Sequence, residues 1–77
     1  MKIKPNTYYK RSYDTNNEDY SIYYTDNETV YIIASKYINE PLFKCTKKCK
    51  WGSFRSLQTR TKNVVEISKE DVFLELL

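Results

Sequence analysis

Between Tyr20 and Tyr37 the chain carries two runs of β-favouring residues separated by three turn-formers, and this pair restricts the fold more than any other feature. Tyr20 to Thr25 alternates, with Tyr20, Ile22 and Tyr24 on one side and Ser21, Tyr23 and Thr25 on the other. Asp26-Asn27-Glu28 supplies a short turn. Thr29 to Tyr37 (TVYIIASKY) then sets Val30, Ile32 and Ala34 on one side and Tyr31 and Ile33 on the other. Apolar residues on both sides are the mark of a strand covered on both faces. The pattern therefore predicts a central strand here, with Val30, Ile32 and Ile33 buried. A hairpin over residues 20–37 directs the rest of the chain toward an antiparallel sheet.

The flanking segments fit that frame. Thr7 to Tyr13 (TYYKRSY) reads as a first strand, Asp14 to Asp19 as a polar loop, and Asn63 to Ile67 as a short strand. The acidic loop has the beginnings of a calcium-binding spacing. It lacks a glycine at the sixth position (Asp19) and a glutamate at the twelfth (Thr25), which excludes that chemistry. Ser53 to Thr61 alternates weakly. Ser68 stands as an N-cap with Asp71 three residues on, and Ile67 and Val72 occupy the positions of a hydrophobic staple. A helix is predicted from about Lys69, with Val72, Phe73, Leu76 and Leu77 as its apolar face. One glycine and two prolines leave most turns to Asn6, Asn16, Asn17, Asn27, Asn39 and Asn63, because asparagine tolerates left-handed backbone angles.

Pro41 to Trp51 reads two ways. As a strand, it puts Phe43, Cys45, Cys49 and Trp51 on a face that Lys47 interrupts, while Lys44, Thr46, Lys48 and Lys50 face water. As a helix, it has Pro41 in the first turn, Gly52 just past the end and Leu42, Cys45 and Cys49 in a stripe. Cys, Thr, Phe and Trp are mediocre helix formers, so the strand is favoured. The predicted architecture is a single small domain over residues 1–77, mainly β with a short C-terminal helix. It would be a small antiparallel barrel or curled sheet of about five strands, SH3-like or OB-like in size. A chain of this length buries roughly 60–65% of its unfolded surface, a thin margin for stability.

Charge is sorted along the chain. Residues 14–28 carry five carboxylates, and residues 66–77 four against one lysine. Residues 44–62 (KCTKKCKWGSFRSLQTRTK) carry seven cations and no carboxylate. These are Lys44, Lys47, Lys48, Lys50, Arg55, Arg60 and Lys62, with Trp51 and Phe54 set among them. Clustered cations with interleaved aromatic rings suit an anionic partner, the cations neutralising phosphates and the rings stacking on bases. These nine residues are the candidate binding surface. The competing reading places Trp51 in the core and the lysines on a solvated strand face that guards a sheet edge.

Catalysis finds no purchase in this composition. Histidine is absent, which removes the commonest general base, and a single glycine rules out a phosphate-cradling loop. Paired carboxylates occur only in the acidic loop and the helix cap, where turn and cap roles account for them. No enzyme, no cofactor and no resident metal are expected. Cys45 and Cys49 are expected as reduced, packed side chains. A zinc ion would need a homodimer to supply four thiolates, and a disulfide would need a helix or a turn, since three intervening residues in an extended strand hold the cysteines too far apart.

No apolar run follows the basic start, and none is long enough to span a bilayer. The chain is therefore expected in the cytoplasm, away from membranes. Abundant Lys, Asn, Tyr and Ile reflect A/T-rich codons, which points to a low-GC bacterium or to a phage or mobile element within one. Two partners fit the basic stretch. One is a host protein with an acidic or nucleic-acid-binding surface, with this chain as an accessory or inhibitor protein. The other is nucleic acid itself, held through phosphates and through bases at Trp51 and Phe54.

Overall fold

A computed structural model describes residues 2–13, 16–37 and 39–76. Four strands run as a meander, β1 (Tyr8–Tyr13), β2 (Asn16–Asp26), β3 (Thr29–Lys36) and β4 (Phe43–Ser53). A fifth, β5 (Val64–Ile67), returns beside β1, so the order is β4-β3-β2-β1-β5 with all neighbours antiparallel. The ladder is not closed, and β4 and β5 are its edges. The protein is an open five-stranded sheet with short helices, and the ladder shows no barrel closure. Two helices complete it, α1 (Phe54–Gln58) and α2 (Lys69–Leu76), with a 3-10 turn at Thr61–Asn63. No helix among the described residues is long and apolar enough to cross a membrane.

The most deeply buried strand is β2, at the centre of the sheet, and not β3. Ile22, Tyr23 and Thr25 are wholly buried, whereas on β3 only Val30 of the three predicted core residues is, Ile32 and Ile33 being half-buried. Buried hydroxyls disguised β2 as half-exposed. Thr25 Oγ1 donates to the Lys4 carbonyl at 2.6 Å and accepts the Thr7 N–H at 3.0 Å, and the Ser21 hydroxyl lies 2.7 Å from that of Tyr13. A satisfied polar group can be buried at little cost, so polarity in the sequence did not mean exposure here. Strand β2 also begins at Asn16, inside the predicted loop, because main-chain pairing with β1 is indifferent to the polar side chains. Positions 14 and 15 of that loop lie outside the described residues.

Each face of the sheet is covered by its own small core. On the first, Ile3, Tyr9, Tyr23, Val30, Leu57 and Val64 pack together. Leu57 comes from α1, which replaces the weak alternation predicted for Ser53 to Thr61. Ser53 caps it by accepting the Ser56 N–H at 3.3 Å, and Leu57 is fully buried. Such a short helix gains its stability from packing rather than propensity, which is why period alone missed it. The N-terminal segment is pinned to the same face. The Ile3 N–H donates to Gln58 Oε1 at 3.2 Å and the Lys4 N–H to the Tyr9 hydroxyl at 2.9 Å. Of the six asparagines assigned to turns, Asn6, Asn27 and Asn39 take positive φ.

On the second face α2 lies over Tyr20 and Ile22 through Val72, with Ile67 and Leu76 joining the cluster. Its cap forms as predicted, Ser68 Oγ accepting the Asp71 N–H at 3.1 Å. The predicted apolar face forms in part, since Val72 and Leu76 pack on the cluster while Phe73 remains 59% exposed and Leu77 lies outside the described residues. Glu75 accepts from Lys10 Nζ at 2.9 Å. That hydrogen bond holds the Glu75 carboxyl below its ordinary value near 4.5. Its contribution is present above the unfolded pKa and is lost as pH falls through the lowered folded value. Acid melts below about pH 4.5 should therefore show a shallower loss of stability in Glu75→Gln than in the parent, with the two parallel at neutral pH. Identical acid limbs would show that the Lys10 contact does not anchor α2.

Candidate functional site

The strand reading of Pro41 to Trp51 holds, and its interrupted face has a physical explanation. Lys44 stands opposite Ala34 and Cys49 opposite Ile32, so β4 advances five residues while β3 advances two. The surplus is thrown out as a bulge, which doubles the chain back until the Cys45 and Cys49 Cα atoms are 6.4 Å apart. Four extended steps would have held them about 13 Å apart. The two cysteines form a disulfide, contrary to the prediction of free thiols. A bulge supplies the turn that a regular strand cannot. Closing so short a loop stabilises the fold by about 2 kcal/mol in the chain-entropy model. With its sulfurs bonded to each other, the pair offers no thiolate for a zinc-linked dimer, and reduced cysteines no longer support a cytoplasmic location.

All seven cations of the basic stretch are exposed, and none forms an ion pair with a described carboxylate. They do not share one surface. Lys44, Lys47, Lys48 and Lys50 lie on edge strand β4, where lysines and a bulge discourage pairing with another chain. Arg55 is on α1, Arg60 follows it and Lys62 lies in the 3-10 turn. Arg60 lies over Trp51, 5.5 Å from the ring centre, and donates to the Ser56 carbonyl at 2.7 Å. Trp51 is itself half-buried, its ring 5.0 Å from that of Tyr23, and Phe54 packs on the same core. These two rings form part of the core wall, so Lys50-Trp51-Gly52-Ser53-Phe54-Arg55 does not make a continuous aromatic platform.

The aromatic surface near the lysines comes from other residues. Register places Ile67, Tyr8, Tyr24, Tyr31 and Lys50 in one row across all five strands. Residues directly opposite in an antiparallel pair share a face, so three tyrosines stand side by side and end at a lysine. The Tyr8 and Tyr24 rings are 4.8 Å apart and tilted by 47°. Beyond Tyr31 the disulfide-closed bulge rises as a wall, and Lys48 Nζ sits 5.7 Å from the Tyr31 ring centre. Tyrosines and wall enclose a groove of about 310 Å³, with Ile33 also lining it and Lys47, Lys48 and Asp26 supplying its charges.

Part of this row was open to sequence reasoning. A two-residue turn at Asn27-Glu28 pairs Asp26 with Thr29, and counting back two positions on each strand pairs Tyr24 with Tyr31. Tyr8 could not be placed without the β1–β2 register, which an irregularity between Ser12 and Tyr13 hides. Compared with family models, curated proteins and solved structures, the chain matches none.

Proposed function

We propose that this protein is a non-enzymatic binding module that takes single-stranded nucleic acid on edge strand β4 and the tyrosine row beside it. The observation that carries the reading is the row itself, three half-buried tyrosines in register with Lys50 and beneath the Lys47–Lys48 bulge. Cations neutralise the backbone, and rings offer faces on which unpaired bases stack. Paired bases already stack on one another, so the rings favour single strands over duplex. Within the candidate surface Lys47, Lys48 and Lys50 then make the principal contacts and Lys44 a flanking one. Arg55, Arg60 and Lys62 add a more distant positive field, and Trp51 and Phe54 support the fold.

A second reading is favoured by Phe43, which is 53% exposed on edge strand β4 beside Lys44 and gives a protein partner an apolar contact next to the cations. In that reading the chain is a phage or mobile-element inhibitor and the partner a host protein with an acidic or nucleic-acid-binding surface. Titration of a labelled mixed-sequence single strand across a salt series separates the two. Roughly three to four phosphate contacts give a slope of log affinity against log salt of about −2 to −3, and the duplex of the same sequence binds more weakly. Absence of binding at low salt, with one host protein captured tightly, would reject nucleic acid in favour of the second reading.

A further inference from the structure

Resting on the nucleic-acid reading, we propose that the groove between the tyrosine row and the Cys45–Cys49 bulge is a seat for a single unpaired guanine. Its volume of about 310 Å³ lies at the small end of ligand sites. It suits one planar ring system, not a folded peptide segment. Tyr8, Tyr24 and Tyr31 line its floor, and the Tyr8 and Tyr24 rings are tilted and not stacked on each other.

The charges in the groove set its orientation. Lys47 and Lys48 stand on the bulge, while Asp26, half-buried at the end of β2, supplies the carboxylate among the described lining residues. No hydrogen bond to a described residue occupies that carboxylate. A phosphate is drawn to the lysines and repelled by Asp26, so the sugar–phosphate must lie toward the bulge and the base edge toward Asp26. An ionised carboxylate only accepts hydrogen bonds. Guanine presents two adjacent donors on its Watson–Crick edge, N1–H and the N2 amino group, which match the two oxygens. Thymine and uracil present one N–H between two carbonyls that the carboxylate repels. Adenine and cytosine present one amino group beside an acceptor nitrogen. Among the common bases, guanine has the donor pattern that matches a carboxylate.

The test uses the whole protein and short labelled oligothymidines at one salt concentration. The central nucleotide is thymidine, deoxyguanosine, deoxyinosine (guanine without its N2 amino group) or an abasic site. The parent should bind the guanine strand about tenfold more tightly than the all-thymine strand, the scale of one good bidentate contact. Deoxyinosine should lose most of that gain. Asp26→Asn keeps the shape of the residue, and it should abolish the preference while leaving all-thymine binding equal or slightly tighter. Equal affinity of the parent for guanine, thymine and abasic strands overturns the inference, and so does a guanine preference that survives Asp26→Asn. In either case salt-dependent binding of all the strands leaves the basic-surface reading standing, whereas no binding to any strand at low salt removes both.

Discussion

Ile22→Ala is expected to lower the melting temperature by roughly 10–30 °C, more than a truncation of any side chain on β3. Ile22 is wholly buried on the central strand, between Tyr20 and Val72 of the core beneath α2. Its cross-strand neighbours are Lys10 on β1 and Ala34 on β3. Lys10 is held by Glu75 and lies 4.5 Å from the Tyr20 ring centre, and Ala34 is too small to move into a void. The cavity cannot collapse, which places the cost at about 2–5 kcal/mol for a buried isoleucine. Each kcal/mol shifts the melting temperature of a domain this size by about 4–8 °C. A domain of this length holds only ~4–12 kcal/mol in total, so the variant is at the edge of folding. Ile32→Ala should cost clearly less, because Ile32 is half-buried beside the β4 bulge. Circular-dichroism melts of the two variants decide the matter, and equal losses would contradict the assignment of β2 as the structural centre.

The second large effect is on binding. Lys47→Glu/Lys48→Glu should reduce affinity for a single-stranded oligonucleotide at least about a hundredfold at low salt. Two favourable phosphate contacts are replaced by two repulsive ones beside the tyrosine row. Both lysines are exposed on the bulge, and neither forms an ion pair with a described carboxylate, so the melting temperature should move little. The same reversal at Arg55 and Lys62 should cost much less, because α1 and the 3-10 turn carry them away from the row. Undiminished binding by the Lys47/Lys48 variant, with folding intact, would reduce the lysines to guards of a sheet edge.

Local rules were legible in this sequence where backbone chemistry is local, and they failed where register and packing decide. The hairpin over residues 20–37, the β5 strand and the Ser68 cap follow from alternation, turn residues and a single side-chain acceptor. The deepest burial was assigned to β3, an interior strand, and not to β2, because Thr25 and Ser21 look solvent-facing until their partners, Lys4, Thr7 and Tyr13, are in place. Phe73 was assigned to the inward face of α2, which Val72 and Leu76 occupy, and position 73 stands 59% exposed beside it. The cysteine pair was misread for a geometric reason. Spacing in a regular strand excludes the bond, and the bulge that permits it is set by the pairing of β3 with β4.

The binding surface shows the same division. Its cations were visible as a run in sequence, but the run mixes an edge strand, a helix and a turn. Trp51 and Phe54 drew attention by their place within the run and proved to belong to the core wall. The half-buried rings of the groove come from three strands, and only pairing across the sheet aligns Tyr8, Tyr24 and Tyr31.

Backbone amide chemical-shift mapping during titration with a short mixed-sequence single strand tests the placement of that surface most directly. The largest shifts are expected at Tyr8, Tyr24 and Tyr31 and along Lys47 to Lys50, and they should vanish in Lys47→Glu/Lys48→Glu. Shifts confined to Arg55 to Lys62, or to β5 and α2, would contradict the tyrosine row as the site of contact.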